Sequence, residues 1–185
     1  MALFSLWRKA RELQKKADSY VSGLLREPSP DDVTWLATAA TRGDEDHASW
    51  ELRYARRAIG QLVAQRDALD DRTASLVAQA LTAAFEADAH IDRERFGLVE
   101  RQFNARVSAY RDALGARGTD AASRLGQTLL AFAGGSFRDV DDKVRRAADI
   151  VGAYEREAND ALRSVFGIAA LPEHIPPSAV AGTSN

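Results

Sequence analysis

The sequence has no cysteine and a single methionine in 185 residues. The missing cysteine excludes disulfides, thiolate-ligated zinc, thiol redox chemistry and a cysteine nucleophile. Histidine is nearly as scarce, with His47, His90 and His174 the only three. Neither charge dominates: 25 Lys+Arg face 27 Asp+Glu, for a net charge of −2. A dedicated nucleic-acid binder shows a strong basic excess, so no nucleic-acid partner is expected. Long apolar runs are missing too. The longest uncharged stretches, such as residues 73–85, reach about a dozen residues, where a membrane-spanning helix needs roughly 20. Residues 1–7 are apolar, but Arg8, Lys9 and Arg11 follow them. A secretory signal has the opposite order, charges first and apolar core second. The expected location is cytoplasmic.

Proline is confined to the ends, as Pro28 and Pro30, then Pro172, Pro176 and Pro177. The interval 31–171 is rich in Ala, Arg, Glu and Asp and reads as consecutive helices. It holds no β-branched alternation long enough for a strand. Alanine makes up about a fifth of the chain and Arg outnumbers Lys about fivefold, a bias that suggests a GC-rich bacterial gene. Apolar residues at 45% and charged ones at 28% are globular proportions. At this length a chain buries enough surface to need no metal or disulfide staple, and no cofactor is expected. The expected fold is all-α, a mostly antiparallel bundle of six or seven helices. It divides into an amphipathic basic N-terminal helix (1–27), a helical bundle domain (28–170) and a disordered C-terminal tail (171–185).

Local signals place the helix ends. Residues 2–26 form the first helix. Ser29 is the N-cap of the second, with Pro30 at its first position, and Gly43 is its stop. Asp44 starts the third, to about residue 69. Asp70-Asp71 opens the fourth, to about residue 88. The fifth covers about 92–116 and stops at Gly115 and Gly118. Thr119 caps a sixth that ends at Gly134-Gly135. Ser136 caps a seventh that runs to Phe166, before Gly167. In this last helix Phe137, Val140, Val144, Ala147, Val151, Tyr154, Ala158, Ala161 and Val165 alternate in steps of three and four, a seam over four heptads. Phe96, Val99, Phe103, Val107, Tyr110 and Leu114 do the same in the fifth. Such seams pack lengthwise against other helices of the bundle or, as a coiled coil, against another chain. Arg66-Asp67-Ala68-Leu69 recurs as Arg111-Asp112-Ala113-Leu114, which suggests two similar helical hairpins.

Chemistry-bearing patterns are sparse. Glu86 and His90 are four residues apart, close to Asp88 and Asp92, and could offer two ligands to a divalent metal; an acidic helix-to-helix turn explains them more simply. The same stretch fails as an EF-hand, because the sixth position counted from Asp88 is Arg93 and the twelfth is Val99. Over fewer than ten residues it resembles a turn in TerB-like tellurite-resistance helical domains; no specific motif is shared, and nothing is carried over. Asp139-Val140-Asp141-Asp142 sits where acids complement a helix N-terminus. A Glu-x-x-His pair, a Lys-bearing phosphate loop and a nucleophile elbow are all absent from the sequence.

The first helix differs from the rest. Six basic residues against two acids give residues 1–26 a charge of +4, which leaves −6 for the remainder. Leu3, Leu6, Trp7, Leu13, Tyr20, Val21, Leu24 and Leu25 share one arc of the helix, beside Arg8, Lys9, Lys15 and Lys16. These twelve form the expected interaction face. The leading expectation is a non-enzymatic interaction or assembly protein acting through helix–helix contacts, with a protein partner or self-association. The alternatives are a peripheral membrane module that uses helix 1–26 on an anionic surface, and a metal-binding or enzymatic bundle that uses Glu86 and His90.

Overall fold

In the computed structural model the described residues are 2–68, 70–88, 91, 93–115, 120–135 and 142–167. The side chains of residues 2–6 and 120 lie outside the description, as does the expected tail at 171–185. Among the described residues the protein is all-helical, with seven α-helices and no strand. They are α1 (Ala2–Leu24), α2 (Pro30–Ala39), α3 (Glu45–Asp67), α4 (Asp71–Ala87), α5 (Phe96–Leu114), α6 (Asp120–Phe132) and α7 (Asp142–Phe166). No described helix is long and apolar enough to cross a membrane.

The start and stop signals work as hydrogen bonds. Ser29 Oγ accepts from the Asp32 N–H at 3.1 Å, and Pro30 opens α2. Asp44 caps α3 through the His47 N–H at 2.9 Å. Gly43 reverses the chain at φ +89°, with Arg42 beside it at φ +58°. Asp70 caps α4 through the Thr73 N–H at 2.6 Å. α5 departs from expectation, because a 3-10 turn at Arg93–Arg95 precedes it. Arg95, at its N-cap, makes no side-chain capping bond. The expected caps Thr119 and Ser136 lie outside the described residues.

The Asp70 cap gives a pH-dependent contribution. Its carboxylate pKa is held below the ordinary 3.8, first by the Thr73 backbone N–H and then by the Thr73 side chain. A carboxylate with a depressed folded pKa stabilises above its unfolded pKa, and that contribution is lost as pH falls through the folded value. Asn caps as well as Asp but does not titrate. Wild type should therefore exceed Asp70→Asn in stability by less than about 1 kcal/mol near neutrality, the site being solvent-screened. Urea denaturation at descending pH should show the difference vanishing below about pH 4. A constant difference would assign it to something other than this charge.

α3 is the central element and touches all six other helices. Its Leu52, Ala55, Ala58, Ile59, Val63 and Ala64 are fully buried, and they spread around the helix rather than along one stripe. Small residues let neighbours close in: Leu24 of α1 occupies the space that a Cβ on Gly60 would need. Arginines on α3 turn their stems over aromatic rings. Arg53 lies over Trp50 at 4.9 Å and Arg56 over Tyr154 at 4.5 Å, each measured to the ring centroid. α6 and α7 also approach closely. A Cβ on Gly126 would meet the Val144 carbonyl oxygen and, at 2.8 Å, the Ala148 nitrogen. Those are backbone atoms that cannot rotate away, so the crossing requires glycine.

The α7 seam buries Val144, Ala147, Val151, Tyr154 and Ala158, together with Ile150. At its C-terminal end burial moves to Leu162, while Ala161 is only partly covered. A 3.6-residue helix drifts from a strict 3.5 repeat, and four heptads suffice to bring the next position inward. Phe137 and Val140 of that seam lie outside the described residues.

Candidate functional site

α1 divides into two halves. Ala17, Tyr20, Val21 and Leu24 are buried in the core, and Leu25 packs partly against it. The Tyr20 hydroxyl donates to the Gly60 carbonyl at 2.8 Å, and burial, then Asp67, pushes its pKa up. The helix end is tied by Arg53 to Glu27 at 2.6 Å and by Arg56 to the Arg26 carbonyl at 3.3 Å. Toward the N-terminus cover is lost. Leu13 and Lys16 are half-buried, whereas Arg8, Lys9, Arg11 and Lys15 are exposed. Trp7 has 56% of its surface in water, with the Arg11 guanidinium 4.9 Å from its ring centroid. Leu3 and Leu6 have side chains outside the description. Of the twelve residues of the expected face, Tyr20, Val21 and Leu24 are thus occupied by the chain's own bundle, and the exposed members cluster around Trp7.

A second constellation was not expected from the sequence. Arg106 of α5 donates through Nε to Glu51 Oε2 of α3 at 2.8 Å, and through Nη2 to Oε1. Both residues are buried, Glu51 at 4% exposure and Arg106 at 8%. Arg106 also donates from Nη1 to the Gln102 carbonyl at 2.9 Å. Its guanidinium lies against the rings of Tyr54 and Phe132, at 4.7 and 4.4 Å. His47 Nε2 stands 3.5 Å from Glu51 Oε1. The Tyr54 hydroxyl donates to Gln102 Oε1 at 3.2 Å. Burial raises its pKa, against the lowering effect of Arg106, so it remains a protonated donor at neutral pH. Above this layer lies a cleft of about 450 Å³ between α3 and α5, with Trp50, Tyr54 and Val99 on its walls and Asp46 and Arg95 among its exposed lining residues.

Other buried polar groups sit nearby. Arg57, at 3% exposure, reaches Asp88 at 3.3 Å and lies over the Phe85 ring at 4.8 Å. Among the described residues its Nε and Nη1 have no hydrogen-bond partner, and desolvation lowers its pKa despite Asp88. Tyr154 Oη is likewise buried without a hydrogen-bond partner among the described residues, and burial, partly offset by Arg56, pushes its pKa up to about 12. Glu86 is exposed and lines a groove of about 560 Å³ with Arg93 and Phe96. His90 and Asp92 lie outside the described residues. Among the described residues no group of three or more His, Cys, Asp or Glu side chains is placed to hold a metal.

Compared with protein-family models, with curated proteins and with solved structures, the chain matches none. The functional reading therefore rests on these two constellations.

Proposed function

We propose that the protein is a non-enzymatic helical interaction protein that docks onto a protein partner through the N-terminal end of α1. The observation that carries this reading is the exposure of Trp7. It belongs to the arc that includes Tyr20, Val21 and Leu24, which the bundle buries, yet more than half of its surface is in water. A large aromatic side chain exposed on a helix is a common centre of a contact surface. Arg8, Lys9 and Arg11 flank it with no acid before Glu12, and Lys15 follows, so the complementary partner surface is acidic with an apolar groove. A second reading, docking on an anionic membrane, is favoured by the same run of exposed cations and by the charge of +4 on residues 1–26 against −6 on the rest. Each cation near an acidic leaflet contributes about 1 kcal/mol.

Trp7→Glu separates these readings. Because position 7 is exposed, the variant should retain wild-type stability within about 0.5 kcal/mol. In vivo photo-crosslinking from position 11 should give one discrete protein adduct in wild type that the Trp7→Glu substitution removes. Co-sedimentation with phosphatidylserine-containing vesicles but not with phosphatidylcholine vesicles, lost in Trp7→Glu, would instead establish the membrane reading. Neither adduct nor vesicle binding would defeat both.

A further inference from the structure

We propose that the cleft between α3 and α5 is a binding site for a small organic acid, a flat apolar body bearing one carboxylate. The chemistry of the walls leads there. The carboxylate at the floor, Glu51, has both oxygens engaged by Arg106, so its charge is already compensated within the fold. Gln102 accepts the Tyr54 hydroxyl on its side-chain oxygen, which leaves its NH₂ group, a pure donor, unspent. Arg95 is exposed at the cleft and has no carboxylate within ion-pair distance among the described residues. Hydrogen-bonding capacity left over in this cleft is therefore weighted toward donors. Asp46 opposes it from the exposed first turn of α3, and His47 is turned to Glu51. A guanidinium is the side chain best matched to a carboxylate, which it holds through two parallel N–H···O bonds.

The rest of the ligand follows from the apolar lining. Trp50 and Tyr54 stand 5.7 Å apart, ring centroid to ring centroid, with an interplanar angle of 39°. Val99 and Ile91 add aliphatic surface to the same cleft. A planar ring placed against the aromatic pair would gain offset or edge contacts beyond its simple burial. The cleft volume of about 450 Å³ falls within the range of small-molecule sites. The Glu51–Arg106 pair sets the floor rigidly, because moving either residue would strand a buried charge. This site is independent of the α1 end and stands or falls separately from it.

The test uses three probes with one ring and different heads: benzoate, benzamide and benzamidine. In ¹H–¹⁵N spectra of the full chain, benzoate should saturably shift the Trp50 indole N–H and the Gln102 side-chain NH₂. A fragment of this size should bind with a dissociation constant on the order of 1 mM. Benzamide should bind more weakly, and benzamidine should leave these resonances unmoved. Arg95→Gln, at an exposed position, should weaken benzoate binding at least about tenfold while the melting temperature is unchanged. Benzamidine binding as tightly as benzoate would overturn the proposal. So would benzoate shifts that avoid Trp50 and Gln102, or an affinity that Arg95→Gln leaves intact.

Discussion

Replacing Arg106 with alanine should lower the unfolding free energy by about 3–5 kcal/mol. The cost is set by what remains behind. Glu51 is almost fully buried and both of its oxygens are engaged by this one guanidinium. Deleting the guanidinium leaves a carboxylate in a low-dielectric layer, with His47 at 3.5 Å and partly in solvent. The rings of Tyr54 and Phe132 also lose the planar group that lies against them. The cost comes from stranding a charge rather than from the net strength of the pair. A buried pair replaced by apolar residues of similar volume is often neutral. Glu51→Leu combined with Arg106→Met should accordingly recover most of the loss. Urea denaturation of the single and double variants measures both quantities. A loss below about 1 kcal/mol for Arg106→Ala would mean that water screens the pair, and the floor of the cleft would then not be rigid.

This pair also marks the boundary of what the sequence could reveal. The fifth helix carries Phe103, Val107 and Tyr110 on one face, and Arg106 falls among them in helical register. In the third, Glu51 falls among Ala48, Leu52 and Ala55 in the same way. Two charges of opposite sign at core positions of two helices are a recognisable signal, and reading only the apolar residues of each seam overlooks it. Recognising it would still not have produced the cleft. The walls come from residues 46–54 and 91–106, with α4 between them in the chain, and they meet only through the crossing of α3 and α5. The helices themselves were largely legible, because Ser29, Asp44, Asp70 and the glycines at 43, 134 and 167 act locally. The centrality of α3 was hidden for the opposite reason. Its burial is spread around the helix by Ala and Gly, and its arginines give it a polar composition, so it shows no single stripe. In α1 the arc of apolar residues was plain, but the point at which the bundle ceases to cover it depends on where α3, α4 and α7 end.

The last expected result tests the seam of α7. Val151→Asp should cost about 3–5 kcal/mol. Val151 is fully buried and lies on the seam between Ala147 and Tyr154, where α7 packs against α3 and α6. Aspartate there must either ionise without a partner or remain protonated with unmet hydrogen-bonding groups, and both lose the burial of the valine. Two long cations of α3 that reach α7 are already engaged: Arg56 with the Tyr154 ring and Glu157, and Arg66 with Asp67 and Glu155. Recruiting either would exchange one pairing for another. Arg146→Ala is the matched control on the same helix. Its partner is Asp32 at 2.8 Å, but half of the Arg146 side chain is in water, so the substitution should cost roughly 0.5 kcal/mol or less. For a domain of this size each kcal/mol corresponds to a melting-temperature shift of about 2–4 °C. Thermal denaturation should therefore separate the two variants by at least about 5 °C. Equal shifts would place the packed face of α7 elsewhere on the helix, and with it the close crossing at Gly126.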